Sequence, residues 1–293
     1  MNEKQLREFW DEALAELAQV DMAAEVKQVA SSDPLVTEYE VTLQSLGGVR
    51  IVGIYTVPAW GEGQPFPALI TMPGYGGDTP PQRALSAEAG YAVLSLYPRG
   101  QGPSQRFWKV PEGMTKLTVG LDDPREQYYR AGYLDVVRGI DFLASRPEVD
   151  AGRIGVYGTS QGGGLTLAAA AIDRRVRAAA AHVPFLCAYR IAVETATTGP
   201  YLELAEYFKQ HPDEREQALR TLEYFDPLNL AAWIDVPTLV TIGDKDTTCP
   251  PPTIEAVFAR LRCTRALVRY KDLGHARHYA FRRIARFWFD EYL

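Results

Sequence analysis

One stretch constrains the chain more than any other: Arg153-Ile154-Gly155-Val156-Tyr157-Gly158-Thr159-Ser160-Gln161-Gly162-Gly163-Gly164. Its first half is a short apolar run with β-branched residues, which reads as a buried strand. The Ala- and Leu-rich segment 165–172 reads as a helix. At the junction stands Gly158-x-Ser160-x-Gly162, the nucleophile-elbow pattern. Three spaced residues of this kind recur often by chance, so the strand before and the small-residue helix after carry the weight. A serine at such a turn is held in a strained backbone, and the flanking glycines let strand and helix approach closely. The turn lifts the Ser160 hydroxyl out of the sheet. It also aims the Gln161 N–H, at a helix N-terminus, toward the same point.

A chain of 293 residues, 46% hydrophobic and 23% charged, buries a full-sized core in one domain or two. The formal net charge is -6, and no Lys/Arg block interrupts the scattered acids, which argues against nucleic acid as a partner. Cys187, Cys249 and Cys263 form an odd, sparse set that reads as reduced thiols. No Cys/His cluster has metal-ligand spacing, so no metal and no cofactor are expected. Residues 1–5 lack an apolar signal core, and no run approaches the ~18 apolar residues of a membrane span. The expectation is a cytoplasmic protein without a membrane partner.

Apolar residues at Leu6, Phe9, Trp10, Leu14, Leu17 and Val20 predict an amphipathic helix over 3–30, ended by Asp33-Pro34. It forms an N-terminal extension, 1–32. Strands are expected at 36–46 and 49–57 around a Gly47-Gly48 turn, then at 68–72, 91–97, 176–183, 237–243 and 266–270. Helices are expected at 82–89, 127–145, 253–261 and from beyond His275 to about residue 289. The order is that of a mostly parallel sheet covered on both faces. Residues 103–124 show no periodicity, and a loop that long is usually functional or at an interface. Residues 184–233 break the rhythm with helical, aromatic-rich sequence. They read as an insertion over the carboxyl ends of the strands, where open α/β sheets bind ligands. The chain is expected to be one domain, 1–293, with that insertion.

A serine hydroxyl needs a base to take its proton and a third group to orient the base. In α/β-hydrolases these follow in the order Ser, Asp/Glu, His. The strand at 237–243 runs into Asp244-Lys245-Asp246, and Asp246 is favoured as the acid because it lies farther along the loop. Asp244, beside Lys245, is the competing candidate. His275 follows Gly274 after the last strand and is the expected base. His278 is placed in the following helix, His182 is read as a packed or pocket-lining residue, and His211 as a surface turn. An oxyanion hole requires a second N–H, and Pro73-Gly74-Tyr75-Gly76-Gly77 lies where it should, with the Tyr75 N–H as donor beside that of Gln161. Pro184 and Phe185, next to the nucleophile, are expected to line the substrate pocket. Arg99, on the loop Arg99-Gly100-Gln101-Gly102, is expected to pin neighbouring loops, the acid loop among them. Gln101 belongs to the same structural loop.

These residues resemble the acetyl xylan esterase/cephalosporin C deacetylase group, carbohydrate esterase family seven. The likeness runs from the first hairpin to near Gly274. It rests on Arg99-Gly100-Gln101, Leu121-Asp122-Asp123-Pro124 to Tyr128-Tyr129-Arg130, Gly158-x-Ser160-Gln161-Gly162-Gly163-Gly164, Val183-Pro184-Phe185-Leu186-Cys187, Tyr224-Phe225-Asp226 and Asp246-x-x-Cys249-Pro250-Pro251. The resemblance implies an α/β-hydrolase fold, Ser160, Asp246 and His275 as the triad, and the Tyr75 and Gln161 N–H groups as the oxyanion hole. It implies deacetylation of small-molecule esters such as acetylated xylo-oligosaccharides or cephalosporin C. It also implies a homo-oligomer, often a hexamer. The chain departs from the family pattern at Ala276, where a glutamate follows the histidine, and it is somewhat shorter.

Two other classes compete. A peptidase or other acyl hydrolase shares the fold, since fold does not fix function. A non-catalytic scaffold would typically have lost the nucleophile or the base, and this chain keeps a candidate for each.

Overall fold

In a computed structural model, which describes residues 2–60, 63, 65–77 and 80–293, the strands form a single sheet. In chain order they are β1 (Glu25–Val29), β2 (Val36–Gln44), β3 (Arg50–Pro58), β4 (Phe66–Met72), β5 (Ala92–Tyr97), β6 (Val149–Thr159), β7 (Val176–His182), β8 (Thr238–Gly243) and β9 (Arg265–Tyr270). Their spatial order is β1-β2-β3-β5-β4-β6-β7-β8-β9. The first three strands and the β3–β5 pair are antiparallel, and every pair from β5–β4 to β8–β9 is parallel.

The N-terminal helix is shorter than its apolar spacing predicts. Helix α1 spans Glu3–Ala18, capped by the Asn2 side chain, and buries Leu6, Phe9, Trp10, Ala13 and Leu17. The remainder of the predicted helix contains β1, an exposed edge strand paired antiparallel with β2. Glu-Val-Lys-Gln-Val has no apolar alternation, and Val26 and Val29 sit three apart, as on a helix. Its ladder to β2 is a long-range partner that local periodicity does not register.

Helices cover both faces. α3 (Tyr128–Ser145), α4 (Gln161–Ile172) and α9 (Pro251–Arg260) join α1 over one core that includes Ile70, Leu94 and Val156. α2 (Arg83–Ala89) and α10 (Tyr279–Tyr292) pack on the other, against Leu69, Val93 and Tyr157. In α10 the buried residues Phe281, Ala285 and Phe289 recur every four positions, the spacing of one helical face. Between β7 and β8, residues 184–233 form α5 (Tyr189–Thr195), α6 (Tyr201–Gln210), α7 (Arg215–Leu222) and α8 (Pro227–Leu230). The Asp226 carboxylate ties the far end of this segment to its start, accepting from the Ala188 and Tyr189 N–H groups at 2.7 and 2.9 Å. Burial pushes its carboxyl up to about 6.

Arg99 does pin loops, but not the acid loop. Its guanidinium grips Asp135 of α3 with two bonds of 2.8 and 3.0 Å and donates to the Leu46 carbonyl of the β2–β3 turn at 3.1 Å. Asp135 also accepts from the Arg99 N–H and from the Ser45 hydroxyl. Arg99 leaves β5 on the side of the sheet that carries β2 and β3, so its reach is spent there.

Candidate active site

The carboxyl ends of β4, β6, β8 and β9 converge, and each delivers one part of the site. β6 ends at Thr159 and α4 begins at Gln161, which leaves Ser160 as the single joining residue at φ 59° and ψ -120°. Non-glycine residues occupy positive φ only where the surroundings enforce it. Here the Ser160 N–H donates to the His182 carbonyl (2.9 Å), and its own carbonyl accepts from Phe185 and Gly164 (2.9 and 3.0 Å). A Cβ on Gly158 would lie 2.4 Å from the Gly162 carbonyl carbon, and one on Gly162 would lie 2.4 Å from the Met72 carbonyl oxygen. Only glycine permits that approach.

His275 Nε2 lies 2.9 Å from Ser160 Oγ, and its Nδ1 lies 2.8 Å from Asp246 Oδ2. The second Asp246 oxygen accepts from the Thr248 and Cys249 N–H groups, both at 2.8 Å, so the buried carboxylate is held from behind. Asp244 does not take part: Lys245, beside it, pairs with Asp272, and no bond joins Asp244 to a histidine. His278 caps α10, its Nδ1 accepting from Ala280 N–H, and stacks on Tyr270 at 4.0 Å. His211 pairs with Glu214 on the surface. Cys249 Sγ sits within 4.8 Å of the ligating atoms of Asp246 and His275. Burial pushes its thiol well up, and the carboxylate and ring nitrogen are already joined to each other, which favours a protonated, packed thiol over a metal ligand.

His182 is buried at the end of β7. Its Nδ1 lies 2.5 Å from Thr241 Oγ1, while Nε2 lies 3.2 Å from both the Ala276 carbonyl and the His278 amide. It braces the loop that carries His275. Burial lowers it to about 4, so the imidazole is neutral.

The loop bearing Tyr75 is held from three directions. Gln101 Nε2 donates to the Gly74 and Tyr75 carbonyls at 2.8 and 3.0 Å. Lys116 Nζ donates to the Tyr75 carbonyl at 2.5 Å and lies 3.9 Å from the Tyr75 ring centroid. Glu203 of α6 accepts from the Tyr75 hydroxyl at 2.5 Å. Sequence reasoning missed Lys116 and Glu203. Lys116 lies in the aperiodic stretch 103–124, where loop length was the only available signal. Burial lowers its ammonium to about 8.

In front of Ser160 is a cleft of about 440 Å³, lined by residues that include Tyr75, Val183, Pro200, Thr248 and His275. This arrangement can activate an oxygen nucleophile and hold a developing oxyanion.

The acetyl xylan esterase family matches residues 1–292. The chain belongs to that family. An acetyl xylan esterase from a Paenibacillus species superposes with a TM-score of 0.93 at 38% identity, covering 100% of this chain and 96% of the other. Acetyl xylan esterase 1 from a Thermoanaerobacterium species gives 0.90 at 30% identity, covering 98% and 93%. The fold is therefore the α/β-hydrolase fold of these esterases. The acetyl esterase Axe7A of Xylanibacter ruminicola is 31% identical over 203 residues, 66% of this chain. The chain spans 45% of the length of that curated relative.

Within this acetyl xylan esterase fold, one expected pair of pocket residues is displaced. Pro184 and Phe185 are buried behind the cleft, and Val183 forms the wall at that point. The Phe185 N–H is tied to the Ser160 carbonyl, and its ring packs on Tyr201 at 4.3 Å and edge-on to Tyr75 at 5.8 Å. Phe185 thus packs beneath the Tyr75 loop and is not among the residues that line the cleft. Among the described residues no helix is long and apolar enough to cross a membrane.

Proposed function

We propose that the protein is a serine carboxylesterase that removes acetyl groups from small esters, acetylated xylo-oligosaccharides and cephalosporin C among them. The observation that carries the reading is His275 bridging Ser160 and Asp246 at 2.9 and 2.8 Å. Ser160 Oγ attacks the acetyl carbonyl while His275 Nε2 takes its proton. Asp246 holds the Nδ1–H and stabilises the imidazolium that forms. The tetrahedral oxyanion is received by the Tyr75 and Gln161 N–H groups. His275 returns the proton to the departing alcohol, and the acetyl group remains on Ser160. Water, deprotonated by the same imidazole, then releases acetate and restores the serine.

Membership in the acetyl xylan esterase family supports a small acyl group, and the cleft lined by Val183, Pro200 and the Tyr75 loop offers it a place beside Ser160. The test is a hydrolysis panel of p-nitrophenyl esters of rising acyl length, run beside acetylated xylose and with Ser160→Ala as control. Acetate should give the highest kcat/KM and the variant almost none. A kcat/KM that climbs steadily from acetyl to octanoyl would overturn the acyl assignment.

A further inference from the structure

The Tyr75 N–H sits on a loop that its own sequence does little to hold. Gly74, Gly76 and Gly77 flank it, and a Cβ built on any of the three would meet nothing within 4 Å beyond its chain neighbours. The bond inside the loop, from the Gly77 N–H to the Gly74 carbonyl, is long at 3.5 Å. Neither packing at the glycines nor a tight turn therefore fixes its course. Tyr75 itself is where the loop is held.

A peptide unit is planar, so the direction of the Tyr75 N–H follows from where the Gly74 carbonyl points. Gln101 holds that carbonyl at 2.8 Å. Lys116 takes the next plane. Its ammonium donates to the Tyr75 carbonyl at 2.5 Å, beside Gln101 at 3.0 Å, and lies 3.9 Å from the ring centroid. The far end of the ring is tethered where the Tyr75 hydroxyl donates to Glu203 of α6 at 2.5 Å. Lys116 is anchored in turn, because the Gln127 side chain at the head of α3 donates to its carbonyl at 3.2 Å.

The place is a costly one for a charge. Lys116 is only 8% exposed, and among the described residues the lysines that form ion pairs are Lys4, Lys209 and Lys245 on the surface. A buried ammonium without a direct carboxylate partner is unfavourable, and a neutral amide would serve a merely structural bond to one carbonyl, as Gln101 does. We propose that Lys116 is a positioning residue for the oxyanion hole, whose ammonium locks the Tyr75 backbone in its donor orientation and lends positive charge to the transition state. The proposal rests on the esterase reading of the site and adds a protonation requirement to it. The charge acts as the oxyanion forms, in surroundings that screen it little. Burial lowers the ammonium to about 8, against the opposing pull of Glu203, the carboxylate that faces it from α6. Burial also pushes up the hydroxyls of Tyr75, Tyr128 and Tyr129 and the Cys249 thiol, which keeps them neutral in that range.

The experiment follows acetate release from phenyl acetate between about pH 5.5 and 9.5 in wild type, Lys116→Met and Glu203→Gln, corrected for hydroxide-catalysed hydrolysis. Wild-type kcat/KM should rise through the range of the base, then fall above about 8 by roughly 5- to 20-fold to a lower plateau. The fall should reverse when the protein is returned to neutral pH; an irreversible loss is denaturation and counts against the proposal. Lys116→Met keeps the length of the side chain and its apolar stem. At neutral pH it should lower kcat by roughly 10- to 50-fold with KM within about 3-fold, and it should lack the alkaline fall. Glu203→Gln keeps an acceptor for the Tyr75 hydroxyl but removes the charge that favours the ammonium, so the alkaline fall should move to lower pH. That shift decides the matter if Lys116→Met does not fold. A wild-type profile flat above neutral pH, or an alkaline fall unchanged in Lys116→Met or in Glu203→Gln, sinks the proposal and leaves the esterase reading standing. A Lys116→Met protein with raised KM and intact kcat sinks it equally. If no ester is turned over at any pH, and a serine-directed phosphonate fails to label Ser160, the esterase reading falls and this inference with it.

Discussion

The Gln161 side chain donates to Gln101 Oε1 at 2.7 Å, and Gln101 in turn holds the Gly74 and Tyr75 carbonyls. Tyr129 completes the chain, its hydroxyl donating to Gln161 Oε1 at 3.2 Å. The residues assigned as the two oxyanion donors are thereby tied together through side chains, although β6 and β4 deliver them separately. Positioning of such donors matters because their hydrogen bonds strengthen only as negative charge develops.

Gln101→Ala should therefore act on the chemical step. With p-nitrophenyl acetate, kcat should fall by about 10- to 100-fold while KM changes little. The protein should remain folded by circular dichroism. A large rise in KM with kcat intact would show that Gln101 shapes binding instead.

The triad assignment makes its own demand. His275→Ala should cost about as much activity as Ser160→Ala, and the double variant little more, because the groups act as a unit. Asp246→Asn should be severe but milder, since it disturbs the tautomer and the imidazolium and leaves the nucleophile in place. Asp244→Asn and His278→Ala should be mild. If His278→Ala abolishes turnover in folded protein while His275→Ala spares it, the base has been misassigned.

Much of this site was legible because its parts sit at strand ends that announce themselves. Val240-Thr241-Ile242-Gly243 before Asp246 is a β-rich run that stops at a glycine, and Ala266-Leu267-Val268-Arg269-Tyr270 is another, followed by Gly274 just before His275. Chain order then supplied the roles. What could not be read were contacts set by three-dimensional packing alone. Lys116 on the Tyr75 carbonyl spans 41 residues and Glu203 on the Tyr75 hydroxyl spans 128, with no local pattern to mark either. Arg277, Arg282 and Arg283 are a similar case: they look like scattered charges in sequence, and the loop before α10 together with its first turns brings them to the wall of one cavity. Edge strand β1 was lost for the same reason, because its partner is β2 and not its neighbours in the chain.

Assembly is a further expectation. Met114, in the long loop after β5, is 52% exposed, and Phe287 on α10 is 66% exposed. Apolar side chains of this size on an otherwise charged surface fit contact with another copy. Light scattering at micromolar concentration should give a mass that is a multiple of 32.6 kDa, larger than a dimer. A single 32.6 kDa species would refute it.

His182 should make the protein acid-sensitive in a defined window. Burial lowers its imidazole to about 4, against an ordinary value of 6.5. Between those values the unfolded chain takes up a proton that the folded protein refuses. Stability attributable to this residue is therefore complete above pH 6.5 and declines as the pH falls toward 4. The slope is about 1.4 kcal/mol per pH unit, and the full loss is about 3 kcal/mol. Because Nε2 sits between Ala276 and His278, the same protonation should loosen the loop that carries His275. Urea unfolding of wild type and His182→Gln, measured from pH 4 to 7.5, isolates the effect. The substitution removes a ring that stacks on Phe281 at 4.5 Å, so the variant will be less stable throughout. Its deficit should nonetheless narrow as the pH falls below 6.5, because the wild type alone pays for a neutral imidazole there. Parallel stability curves across the whole range would show that His182 titrates as it does in the unfolded chain.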